Sequence, residues 1–346
     1  MQKKLLKIIK YFLFIENQRF ITMKKVIGLG NALVDIMIML ENDNFLAENN
    51  LPKGSMQLVD IETSEKVNKS SEEFEKKLTS GGSAANTIQG LAKLGTGSSY
   101  IGKVCNDKYG NFFEAKLKEH KINPILLKSD TATGRAMALV SKDGERTFAT
   151  YLGAAVELSA DELTDNMFDG YNYFHIEGYL VYNHDLMLKA AKLAKTKGLK
   201  ISLDLASFNV VEDNFDFLKT YINEYVDIIF ANEEEAKAYT NKEPKEALNE
   251  FAEICEIAIV KIGSAGSYIK KGNNIYKIGV IDANLIDTTG AGDLYAAGFL
   301  YGLANNYDLE KSGKIGSILS GKVIEVIGAQ MNDETWKKIK TMIDVL

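Results

Sequence analysis

The sequence predicts an α/β protein of three layers, with helices on both faces of a central, mostly parallel sheet and a small β-sheet lid beside it. Two observations carry this. Short β-branched runs alternate with longer amphipathic runs along most of the chain, the pattern of strand–helix–strand units and hence of parallel strands. Two stretches, "LPKGSMQLVDIE" and "TGRAMALVSKDGERTFATYLG", instead alternate with period 2, as an exposed antiparallel sheet does, with "KDGE" as a hairpin turn. These place the lid near residues 34–62 and 130–153. Only three prolines occur, and no Pro/Gly/Ser-rich linker divides the chain, so one domain with a lid is expected over two independent domains.

The elements follow in order. "KKVIGLGNALVDIMIML" reads as the first buried strand, "GGSAANTIQGLAKLG" as a helix after its glycines, "SSYIGKV" as a strand and "YGNFFEAKLKEH" as a helix. After the second lid segment come "NYFHIEGYL", the helix "HDLMLKAAKLAKTKG", the strands "KISLDLA" and "VDIIFAN", a helix from Glu233, the strand "IAIVKIG", and two more helices after Asp293. Residues 1–22 begin like a signal peptide, but Lys7 and Lys10 interrupt the apolar run and no small-residue cleavage site follows. They are expected to be an extension outside the core of residues 23–346, and the protein to be cytoplasmic, with no membrane partner.

Composition excludes several classes. The 346 residues are 46% hydrophobic and 25% charged, an ordinary globular balance. A formal net charge of −6 gives no general attraction to phosphate backbones, so no nucleic-acid partner is expected. Cys105 and Cys255 have no paired spacing, and His120, His175 and His184 form no metal motif. Two glycine motifs fail on inspection. "GSSYIGKV" fits the phosphate-loop spacing, but Val104 stands where a Ser or Thr must bind magnesium. "GLGNAL" follows a strand, but its sixth position is Leu33 where a dinucleotide fingerprint needs a small residue.

"DTTGAGDLYAAGFLYG", residues 287–302, is more specific. Gly290, Ala291 and Gly292 present backbone N–H groups at a helix start, where the dipole is positive, and this suits an anion. Asp293 would repel a phosphate bound there, which makes sense if it is a base taking a proton from a hydroxyl that attacks the phosphoryl group. The plainer alternative is a glycine turn whose Asp caps a helix.

Together these motifs resemble the ribokinase-like (PfkB-type) carbohydrate and nucleoside kinases. "DTTGAGD" resembles their C-terminal signature and "GGSAANTIQGLAKLG" their N-terminal one, while "GNALVDI", "NEEEA" and "VKIGSAGS" match in order across about residues 23–335. The resemblance implies ATP as donor, magnesium as its partner and a small-molecule acceptor under the lid. It implies Asp293 as catalytic base and Gly290, Ala291 and Gly292 as anion hole. Asn31, Asp35, Gly81, Gly82 and Asn86 correspond to the acceptor pocket, Asp35 accepting hydrogen bonds from sugar hydroxyls. Asn232, Lys261, Gly263 and Gly266 correspond to the nucleotide site, the last three on a strand and turn with backbone contacts. Glu235 matches the glutamate that orients magnesium through water, although Glu233–Glu235 also suit any helix start. Asp287, Thr289, Val323 and Gly328 correspond to the ligands of a monovalent cation such as potassium, mostly through carbonyls. Arg146 matches a lid arginine that reaches the phosphates, or is a surface hairpin residue.

The acceptor is expected to be a ribonucleoside, adenosine first, because "GNALVDI" and "ERTFATYLGAA" resemble the adenosine kinase branch. Tyr179 falls where that branch sets an aromatic ring against the purine, with a core residue as the alternative. "GGSAANT" reads more like sugar kinases, so ribose, fructose or a related sugar is the alternative. A non-catalytic nucleotide sensor would have no need of Asp293. The chain is expected to be a monomer or a homodimer joined through its lid.

Overall fold

The computed structural model describes residues 23–346, so the expectation for residues 1–22 lies outside the described residues. The chain divides between two sheets. β1 (Val26–Leu29) belongs to the large sheet, and after a break at residues 30–32 the chain crosses to the lid as β2 (Leu33–Met39). The run expected to be one strand is therefore two, in different sheets. Next come β3 (Met56–Leu58), β4 (Lys76–Gly81), β5 (Ser98–Cys105), β6 (Asn123–Ser129), β7 (Gly134–Val140) and β8 (Arg146–Tyr151). β9 (Tyr173–Glu177), β10 (Lys200–Asp204), β11 (Ile228–Asn232) and β12 (Ile257–Lys261) follow, and a hairpin of β13 (Ser267–Lys271) and β14 (Asn274–Ile278) ends the sheet.

The large sheet runs β14-β13-β12-β11-β10-β9-β1-β5-β6, parallel from β12 to β6 and antiparallel at the β13–β14 edge. Its inner strands β5, β1 and β9 to β12 are buried on both faces, as parallel strands covered by helices must be, while the edge strands are partly exposed. β11 shows this directly: Ile228 and Phe230 enter one core, and Ile229 and Ala231 the other.

The lid runs β3-β8-β7-β2-β4. The expected antiparallel sheet is in fact mixed: β2 pairs with β4 and β7 with β8 antiparallel, but β2 with β7 and β3 with β8 parallel. β4, from residues 76–81, is a third contribution beyond the two segments expected. The "KDGE" turn does join β7 to β8, with Gly144 at φ 86°.

Two helices matter most for the site. Ser83–Leu94 follows the glycine pair, and Ala291–Ala304 follows the second glycine turn. They touch closely, since a Cβ at Gly90 would lie 2.7 Å from Ala297 Cβ. The chain then closes with Leu309–Val323 and Asp333–Asp344.

Candidate active site

Open parallel sheets bind ligands at the carboxyl ends of their strands. Here that edge, the lid and the two signature helices enclose a cavity of about 750 Å³, a size suited to small-molecule ligands.

Asp293 is held by one face of the Ser83–Leu94 helix. Its Oδ1 accepts from Ser83 Oγ at 2.7 Å, its Oδ2 from Asn86 Nδ2 at 2.9 Å, and its carbonyl from Thr87 Oγ1 at 3.1 Å. Positions 83, 86 and 87 share a helix face, so the motif spacing itself aims three donors at one residue. Burial pushes the Asp293 carboxyl up to about 6; the Asn86 and Ser83 hydrogen bonds and the Lys261 ammonium hold it down, while Asp204 raises it.

Gly290 caps the Ala291–Ala304 helix at φ 75°, a left-handed conformation, and a Cβ there would meet Ala329 Cβ at 2.6 Å. No side chain caps this helix start. Among the described residues no acceptor takes the N–H of Gly290 or Gly292, and both glycines line the cavity. Ala291 departs from expectation: its N–H donates to the Thr288 carbonyl at 3.1 Å, closing the turn, so it is not an open donor.

Asp35 faces the same cavity from β2. Gly81, on the neighbouring β4, leaves room for it, because a Cβ there would come within 2.2 Å of Asp35 Oδ1. Burial, and next the charge of Asp293, push Asp35 up to about 7. Gly82, at φ 95°, turns the chain into the helix, and Asn86 lines the cavity. Asn31 does not line it. Glu177 draws Asn31 inward, its Oε1 accepting from Asn31 N at 3.0 Å and Asn31 Nδ2 at 2.8 Å. Tyr179 is 41% exposed and lines the cavity, so it is not a core residue.

On the nucleotide side, Asn232 and Glu235 form a reciprocal capping box: Asn232 N and Nδ2 each donate at 2.7 Å to Glu235, and Glu235 N donates to Asn232 Oδ1 at 2.8 Å. The helix-start reading is thus real, yet both residues also line the cavity. Burial raises Glu235 to about 7 against the opposing charge of Lys261. Gly263 and Gly266 bound a tight turn at φ 53° and 96° and line the same cavity.

Arg146 reaches from the lid to the residues just before the Gly290 turn. Nη1 donates at 2.6 Å to both Asp287 Oδ2 and Thr289 Oγ1, and Nη2 donates to Asp287 Oδ1. Asp287 is only 2% exposed and needs this countercharge. Its oxygens also accept from Thr289 N at 2.7 Å and Gly328 N at 2.6 Å. The Val323 carbonyl accepts from Val326 N at 3.2 Å. The Asp287 carboxylate, which would otherwise attract a cation, is thus already held by a guanidinium.

Three further residues appear only in three dimensions. Glu177 joins the turn after β1 to the Ser83–Leu94 helix, its Oε2 accepting from Ala84 N at 2.8 Å, and burial raises it to about 7. Asp204 accepts from Lys261 Nζ at 3.0 Å, and Ser83 binds Asp293. Glu177 and Asp204 each end a buried parallel strand, a position that could have marked them from sequence.

A buried carboxylate beside open N–H groups at a helix start, beneath a lid, defines a phosphotransferase acting on an alcohol group. Residues 54–336 match the model of the pfkB family carbohydrate kinases, and the chain belongs to that family. The fold is similar to that of a probable sugar kinase from Rhizobium etli, with TM-score 0.83 and 34% identity over 93% of this chain and 99% of that one. The adenosine kinase from Sinorhizobium meliloti gives TM-score 0.82 and 33% identity over 93% and 100%. A nucleoside kinase from Methanocaldococcus jannaschii is 32% identical over 265 residues, 75% of this chain and 83% of that protein. Among the described residues no helix is long and apolar enough to cross a membrane.

Proposed function

We propose that this chain transfers the γ-phosphoryl group of magnesium ATP to a hydroxyl of a ribonucleoside, with adenosine as the first acceptor. One observation carries the reading: Asp35 and Asp293 face a single cavity whose walls also bear the rings of Phe148 and Tyr179. Two carboxylates suit a polyol, and two aromatic walls suit the flat face of a base.

The residues present fit the donor. Open N–H groups at Gly290 and Gly292 suit phosphate oxygens. Glu235 would hold a magnesium ion on the phosphates with its one carboxylate. When bound, magnesium ATP supplies the electrophilic phosphorus, with part of its charge neutralised. The protein does the rest. Asp35 accepts hydrogen bonds from ribose hydroxyls and orients the sugar. Asp293, ionised above about pH 6, takes the proton of the attacking hydroxyl. Gly290 and Gly292 donate to the transferred group, Asn232 and Glu235 keep the metal side in register, and the turn from Gly263 to Gly266 holds the nucleotide through its backbone.

The similarity to nucleoside and adenosine kinases supports this acceptor, and the similarity to a probable sugar kinase keeps a sugar as the second reading. The test is a panel of ribonucleosides and sugars with magnesium ATP, scored as ADP release above the acceptor-free background. Turnover with ribose or fructose and none with adenosine would overturn the nucleoside assignment.

A further inference from the structure

Lys261 ends β12 and reaches towards the anion hole from the floor of the cavity. Its Nζ lies 3.0 Å from Asp204 Oδ2, and Asp204 is the only residue among those described that accepts a hydrogen bond from it. An ammonium has three N–H donors, so two are unspent. They lie beside the glycine turn: a Cβ built on Gly292 would sit 3.0 Å from Lys261 Nζ. Lys261, Gly292 and Asp293 line one cavity.

The partner carboxylate is itself aimed. Asp204 Oδ1 accepts from Ala206 N at 3.0 Å. Ala206 adopts φ 69°, a left-handed conformation that is strained for a residue with a Cβ. Asp204 and Lys261 are 7% and 16% exposed. A buried ion pair is weak evidence for stability, because desolvation offsets most of the attraction. A pair serving only to join strand ends would have no reason to leave two donors beside open N–H groups.

We propose that Lys261 is a catalytic residue whose ammonium binds the phosphoryl group in transit together with the N–H groups of Gly290 and Gly292, and that Asp204 is its positioning residue. The proposal rests on the kinase reading. In the transfer, the acceptor oxygen forms its bond to phosphorus and the bond to the ADP oxygen breaks, leaving its electron pair on ADP. The acceptor's proton passes to Asp293, and Lys261 keeps all of its protons. Its part is electrostatic: it meets charge on the terminal phosphoryl group, which ADP lacks.

The test uses the full chain with whichever acceptor the wild type phosphorylates, so a failed acceptor assignment does not touch it. K261M paired with D204N removes both charges and leaves neither buried alone. The expected result is a loss in kcat of about 10²-fold, the size seen when one preorganised donor is removed. The acceptor KM should stay within about threefold, and calorimetry should show ATP affinity falling while ADP affinity holds. K261R keeps a cation on Asp204 and should fold even where the double variant does not. It should preserve the preference for ATP over ADP and retain more than about a tenth of kcat. Either of two results overturns the proposal: a double variant within about threefold of wild-type kcat, or equal weakening of ATP and ADP in whichever variant folds.

Discussion

Replacing Asp293 by Asn tests the centre of the site, because the structure already contains the means to accommodate it. The new amide oxygen can keep the hydrogen bond from Ser83 Oγ, which now spans 2.7 Å. Its amide nitrogen would face Asn86 Nδ2, two donors at 2.9 Å, and that contact requires a change. Asn86 Oδ1 is buried without a hydrogen-bond partner, so rotating the Asn86 amide turns the clash into a hydrogen bond. The variant should therefore fold, and Tm should move by no more than a few degrees, as for a surface-like change of about 1 kcal/mol. At pH 8 the wild-type carboxylate, with its pKa near 6, is about 99% ionised and ready to accept a proton. Its loss should lower kcat by about 10²–10⁴, or roughly 3–5 kcal/mol in the barrier. ATP affinity should hold or tighten, since a negative charge beside the phosphates has gone. ADP release at saturating substrates gives kcat, and calorimetry gives binding. Retention of more than about a tenth of wild-type kcat would show that Asp293 only ties its helix to Ser83 and Asn86, and the base assignment would fall.

The remaining expectations concern single groups. With Asp293 at about 6 and Asp35 at about 7, both raised by burial, kcat/KM should climb between pH 5 and pH 8 as the two carboxylates lose protons; a flat profile would remove both from the ionisable machinery. D35A should raise the acceptor KM by about ten- to a hundred-fold, the worth of a charged hydrogen bond, with ATP binding nearly unchanged; equal weakening of both ligands would contradict its place in the acceptor pocket. Gly292→Val should damage both rate and nucleotide binding, because its branched side chain collides with Lys261 Nζ and covers the open N–H groups; a defect in rate alone would refute that geometry. Since the Arg146 guanidinium already answers the charge of Asp287, exchanging potassium for tetramethylammonium should change kcat by less than about twofold, and a tenfold loss would show that a metal cation is needed there.

What the sequence discloses is what short-range spacing encodes. Gly82 and Asn86 lie four residues apart at one helix start, and Gly290 to Asp293 are consecutive, so local geometry alone brings these motifs close to function. Asp204 and Glu177 carry no such signature: each is a single acidic residue closing an apolar run, and its meaning depends on which strand lies beside it. The partnership of Arg146 with Asp287 spans 141 residues, and only the lid's placement creates it. Turn geometry was hidden in the same way. Nothing in "TTGAG" says that Ala291 spends its N–H on Thr288 while its neighbours do not. The lid's mixed pairing escaped because alternation reports that a strand has one exposed face, and is silent about the direction of the next strand. "KKLTSG", which became β4, lacks even that alternation.

Asp35, Asp204, Glu235 and Asp293 all face one cavity in which Lys261 is the cation among the lining residues. An enclosure so rich in acid discriminates by charge before it discriminates by shape. Fully ionised ATP without its metal meets repulsion on entering, whereas the magnesium complex brings the positive charge that the walls lack. On the proposed kinase reading, the supply of free magnesium would then act as a throttle on turnover, because chelating the ion leaves only a donor that the acidic walls repel.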